Sequence, residues 1–152
     1  MQALHGKGTG MRGWLNVLAM VVLGLMLAAP AGAVGKRKKS GQLESMQMAY
    51  AKAVRWGEFE EAWKLVDPAY RDAHPMSELA FERYQQVQIS GYTDKTTSVE
   101  PDGSVVRTIE LRVINKHTMA ERTERYREQW RWDDASKRWW LAVGLPDLWK
   151  GE

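Results

Sequence analysis

Val105-Val106-Arg107-Thr108-Ile109-Glu110-Leu111-Arg112-Val113 decides how the rest of the chain is read. Val105, Ile109, Leu111 and Val113 alternate with Thr108, Glu110 and Arg112, the period of a strand with one buried face and one wet face. Arg107 interrupts the apolar side near its start. On the N-terminal side, Pro101-Asp102-Gly103 predicts a turn, because proline presets φ and glycine accepts φ > 0. Before that turn, Tyr84 to Val99 reads as a long first strand, with Val87, Ile89 and Gly91 on one face and a bulge or bend at Gly91. On the C-terminal side, a turn near Lys116–Ala120 leads into a third strand, Glu121 to Asp133. Its Tyr126, Trp130 and Trp132 share one face, and Thr123, Arg125, Arg127, Gln129 and Arg131 share the other. Asp133 to Lys137 forms the last turn, and Arg138 to Val143 the fourth strand.

The period lengthens upstream. Leu43, Met46, Tyr50 and Ala53 recur at helical steps, and Gly57 stops that helix. Phe59, Ala62, Trp63 and Val66 mark a second helix, ended at Asp67-Pro68 because the residue before proline avoids the α region. A short third helix is expected from Ser77 to Glu82, with Ser77 as N-cap. Helices first and a meander afterwards imply an α+β domain, its N-terminal helices packed on a curved four-stranded antiparallel meander. Ala51, Gly57, Phe59 and Ala62 also suit half of a tetratricopeptide unit, but there is no second copy and such repeats are not stable alone.

Two amphipathic helices followed by four Trp-rich antiparallel strands resemble the nuclear transport factor 2-like superfamily, with its cone-shaped, cystatin-like fold. The stretch Trp130-Arg131-Trp132-Asp133 … Lys137-Arg138-Trp139-Trp140-Leu141 resembles the closing hairpin of exported bacterial members. The resemblance covers Leu43 to Leu145. It implies a fold more than a function, since the superfamily holds ketosteroid isomerase-like and polyketide cyclase-like enzymes as well as non-catalytic binding modules.

The N-terminus reads as a secretory signal over residues 1–33. Lys7 and Arg12 are basic, Trp14 to Ala29 is an apolar run, and Ala31-Gly32-Ala33 is a small-x-small cleavage pattern just after Pro30. The cut is expected after Ala33, with a cut after Ala31 as the near alternative and Met11 as an alternative start. Residues 34–42 are expected to be a basic flexible linker and 43–149 a single α+β domain. The chain is then periplasmic or secreted. The alternative is an inner-membrane anchor. Lys36-Arg37-Lys38-Lys39 directly behind the cut favours retention on the cytoplasmic side, and in an anchored protein this basic linker would touch anionic lipids.

The chain carries 22 basic and 19 acidic residues, a net charge of +3. Lys7, Arg12 and the cluster at 36–39 more than account for that excess, so acidic residues outnumber basic ones in the domain itself. A nucleic-acid partner is not expected. The absence of cysteine excludes disulfide stapling, thiol catalysis, thiolate metal sites and a lipid anchor on cysteine.

Polar residues on apolar strand faces are the site candidates. Asn115 and His117 continue the phase of Val113, and Glu124 and Glu128 share the phase of Tyr126, Trp130 and Trp132. A glutamate beside aromatic rings is desolvated, its pKa rises, and it suits a general base. Glu124, Glu128 and His117 are thus candidate catalytic residues, and Asn115, Tyr126, Trp130 and Trp132 candidate binding residues. The competing readings are structural: Asn115 and His117 as turn residues, Glu128 as an ion-pair partner of Arg107 or Arg112, and the tryptophans as core. The Arg-rich face of the third strand reads as a solvated sheet face, or as one that meets an acidic partner or lipid head groups. His74 and His117 lack a ligand spacing, so no metal and no cofactor is expected. The leading functional reading is an exported accessory or binding domain without catalytic activity, for a protein partner or a small apolar ligand, or forming a homodimer. The alternatives are a small isomerase- or cyclase-type enzyme with a pocket carboxylate base, and an anchored envelope protein.

Overall fold

A computed structural model describes residues 31–149, with side chains from Gly35 onward. Four helices come first: α1 (Ala31–Trp56), α2 (Phe59–Trp63), α3 (Pro68–Ala73) and α4 (Glu78–Tyr84). Four strands follow: β1 (Val87–Val99), β2 (Val105–Asn115), β3 (Glu121–Asp133) and β4 (Arg138–Leu141). They form one antiparallel sheet in the order β1-β2-β3-β4, so the fold is the expected α+β class. The expected signal region lies outside the described residues except for its last three positions. From Lys39 onward the chain is one compact unit.

Several boundaries differ from the sequence reading. The stretch 34–42, expected as a flexible linker, is helical within α1. Its lysines and arginine are good helix formers, and the Ser45 hydroxyl donates to the Gly41 carbonyl at 2.9 Å. Asp67-Pro68 does more than stop a helix. Asp67 Oδ1 accepts from the Ala69 amide at 2.9 Å and proline occupies the first turn, so the pair begins α3, a helix absent from the sequence reading. In turn α2 ends early, because Val66 leaves the helix to form a parallel bridge with Leu141. Ser77 caps α4 as expected, but α4 extends through Tyr84, where the sequence period predicts the start of the first strand. Tyr84 is held by the core: its ring lies 4.4 Å from that of Phe59 and its hydroxyl donates to the Pro146 carbonyl at 2.9 Å. The fourth strand stops at Leu141 rather than Val143.

Gly91 does mark a bulge. The register shifts between Ile89 and Gly91, and again between Asp94 and Thr96. The first shift turns Gly91 away from the face it was expected to share with Ile89. It stands opposite the exposed Arg112, and a Cβ there would come within 2.5 Å of the Arg112 Nε. Tyr92 and Asp94 take over the inner face instead, opposite Leu111 and Ile109.

That inner face carries the core. Ile109, Leu111, Val113, Trp130 and Leu141 from the sheet are fully buried against Tyr50 and Val54 of α1 and Phe59 and Ala62 of α2. Tyr50 meets Trp130 edge-on at 5.9 Å between ring centroids. The outer face reads as expected, with Arg125 opposite Glu110 and Arg127 opposite Thr108.

Candidate functional site

One polar row crosses this inner face. Arg107 and Glu128 are directly paired on β2 and β3, between the rows Val105–Trp130 and Ile109–Tyr126. Glu128 is 0% exposed and Arg107 8%. The Tyr92 hydroxyl donates to Glu128 Oε1. The Trp130 indole N–H donates to Oε2 at 2.8 Å, and Arg107 Nη1 lies 3.6 Å from the same oxygen. Arg107 Nε donates to Asp94 Oδ2 at 2.9 Å. Burial pushes the Glu128 carboxyl above its ordinary range, and the donors Tyr92 and Trp130 and the charge of Arg107 only partly offset this. Desolvation and the nearby carboxylate push the Tyr92 hydroxyl up as well, so it stays a proton donor at neutral pH.

A second chain of hydroxyls adjoins the first. The Tyr126 hydroxyl donates to the Gly144 carbonyl at 2.7 Å, so the contact of 3.1 Å with Tyr50 has Tyr50 as the donor. Burial raises both phenols. Tyr126 thereby links α1 to the segment after β4.

Between α1 and the inner side of β1 and β2 lies a crevice of about 330 Å³. Glu44, Gln47, Met48, Ala51 and Arg55 form its helix wall, and Tyr92, Asp94 and Arg107 its sheet wall, so its two cations face two carboxylates. Glu128 is not on its surface: Tyr92 and Arg107 stand in front of the carboxylate.

The expected site residues do not converge. Glu124 is four residues from Glu128 along β3, about 13 Å of extended chain, and pairs with Arg122 at 3.3 Å. Asn115 Oδ1 accepts from the amides of His117 and Thr118 at 2.9 and 3.2 Å, which makes it a turn residue at the far end of β2. His117 is exposed in that turn. Tyr126 and Trp130 belong to the network. Trp132 packs edge-on against Trp139 at 5.7 Å, beneath the Lys39 ammonium at 4.4 Å. Tyr92, Asp94, Tyr50 and Gln47 were not among the candidates. The signal for the first two was the bulge at Gly91, which re-aims them. Gln47 lies beside Met46 and Tyr50 on α1. Among the described residues, no group of three or more His, Asp or Glu side chains is placed to hold a metal, and no helix is long and apolar enough to cross a membrane.

Set against known proteins, the chain matches no family model, no curated protein and no solved structure.

Proposed function

We propose that this chain is an exported accessory or binding domain without catalytic activity, periplasmic or secreted after cleavage behind Ala33. The observation that carries the non-catalytic part is the state of Glu128. It is 0% exposed, both of its oxygens accept hydrogen bonds, and its charge faces Arg107. A general base needs a free lone pair within reach of a substrate proton. Here Tyr92 and Arg107 occupy that approach, and the carboxylate organises the interior of the domain. Export rests on the signal pattern of residues 1–33, and membership of the nuclear transport factor 2-like superfamily on the order of elements.

A carboxylate-base enzyme is the second reading, favoured by the raised Glu128 pKa. Glu128→Gln separates the two. An accessory domain keeps its role in the cell with this change, whereas turnover of ketone or polyketide-like compounds that the change abolishes would establish the enzyme. Cell fractionation tests export: a periplasmic protein whose N-terminus is Val34 is expected, and a membrane-bound chain of full length would show an uncleaved anchor.

A further inference from the structure

We infer that the basic turn near the start of α1, Lys36-Arg37-Lys38-Lys39, docks the domain on an anionic bilayer surface after the signal has been removed. This rests on the reading of the chain as exported and cleaved behind Ala33, and names the surface that the free domain would meet.

The four cations are successive residues of a helix, so they follow one another at steps of about 100°. Their charge forms a collar around the axis and not a stripe along it. All four residues are exposed. Among the described residues none of them is ion-paired with a carboxylate. The first acid along α1 is Glu44, five residues beyond Lys39 and past the three- and four-residue steps at which helical side chains meet. Like charges within one turn repel, so an anionic partner relieves a strain that the helix itself leaves uncompensated.

Lys39 marks where the collar joins the folded domain. The Trp139 indole donates to its carbonyl at 2.9 Å, and its ammonium lies 4.4 Å from the centre of the Trp132 ring. Both contacts belong to the compact unit that begins at Lys39. Asp134 is the acid that feels Lys39, but its carboxylate is taken by the Trp132 indole at 3.0 Å and by Lys137 at 3.3 Å. Lys36, Arg37 and Lys38 continue the helix outward in sequence from this fixed residue.

The form of the charge points to its partner. Cations that radiate from an axis do not converge on a point, so they make no pocket for a single phosphate or carboxylate. They answer to an extended field, such as a layer of anionic head groups, which reaches about 8–10 Å from its surface, nearly the width of a helix. A second copy offers no such field, because the domain's small acidic excess is spread over its whole length. The collar also directly follows the expected cut, so it is the part of the released chain that starts nearest the membrane.

The test is vesicle flotation of the chain as purified from the periplasm, its N-terminus read by sequencing. Binding is expected to vesicles made of equal parts phosphatidylglycerol and phosphatidylcholine, but not to phosphatidylcholine alone, and it should be lost at about 1 M salt. Lys36→Gln, Arg37→Gln and Lys38→Gln together should weaken it about a hundredfold, or about fivefold per cation. Lys52→Gln, Lys64→Gln and Lys95→Gln together remove the same net charge elsewhere and should change it little. Circular dichroism checks that both triple variants fold. In cells, the cleaved chain should leave the membrane fraction in a salt wash. The inference is overturned if the anionic vesicles are not preferred, or if the two triple variants lose binding alike. It is also overturned if the collar captures soluble polyphosphate or a second copy of the chain while the vesicles stay bare. A chain with its N-terminus at Val34 that ignores anionic vesicles removes this inference alone. A chain of full length that resists the salt wash removes the reading of cleavage and this inference with it.

Discussion

Arg107 and Glu128 face each other across β2 and β3 with Arg107 Nη1 3.6 Å from Glu128 Oε2, and the glutamate has no contact with bulk water. Each makes the other's burial tolerable. Replacing Arg107 by Met should therefore cost about 3–5 kcal/mol, since it strands a buried carboxylate. Adding Glu128→Met should recover much of that loss, because an apolar pair of similar volume needs no counter-charge. Urea unfolding of the two single variants and the double variant measures this. Additive losses would show that the two residues do not interact.

Tyr92→Phe removes one donor from Glu128 while keeping the ring. The expected loss is about 1–3 kcal/mol, the cost of a buried acceptor left short of a partner. Because that donor also helps to hold the proton off Glu128, the carboxyl pKa should rise further. Carbon-13 NMR of the glutamate carboxyl across pH reads this shift directly.

Glu128 also sets a pH dependence. Its carboxyl holds its proton more tightly in the fold than the ordinary value of 4.5. The stability this contributes is full below that value and is lost as pH rises through the raised one. Asp102, Asp133 and Asp134 act in the opposite sense. Hydrogen bonds from Ser104, Ser136 and Trp132, respectively, hold them below their ordinary value of 3.8, so their contribution is lost on acidification. Between Glu128→Gln and wild type, denaturation midpoints should diverge upward from about pH 4.5, with wild type losing ground. Parallel curves would mean that the carboxyl is not displaced.

Gly144 sits where a side chain does not fit. A Cβ there would lie 2.8 Å from the Tyr70 hydroxyl and 3.1 Å from its ring. Gly144→Ala should cost about 1–3 kcal/mol through displacement of that ring. Adding Tyr70→Leu should make the alanine nearly neutral in thermal melts. An equal penalty in both backgrounds would place the cause elsewhere.

The fold class was legible because β2 and β3 alternate cleanly and their turns carry proline, glycine and aspartate at the required places. What was not legible came from long-range demands. Tyr84 looks like strand by its neighbours, but Phe59 and Pro146 hold it in α4. Gly91 announced a bulge, yet the residues that the bulge would aim inward could be named only once the register was known. Glu128 stands out by its phase, and an ion pair with Arg107 or Arg112 is what opposite charges on neighbouring strands imply. Nothing in the local pattern marks Tyr92, two strands away, as the residue that closes its other oxygen. Asn115 and His117 shared the same phase, but phase loses meaning where a strand leaves the sheet, and there they became turn residues.

The bridge between Val66 and Leu141 has a consequence for the order of events as the chain is made. The amide of Leu141 donates to Leu65, that of Asp67 donates back to Leu141, and the Trp139 indole holds the Lys39 carbonyl at 2.9 Å. Every helix therefore waits for residues near the C-terminus before its apolar face is covered, and Leu148 is itself fully buried. A chain synthesised from its N-terminus cannot complete this core until nearly all of it has emerged. Until then the apolar faces of its helices stay without their sheet partner, so the last hairpin sets when the domain can close.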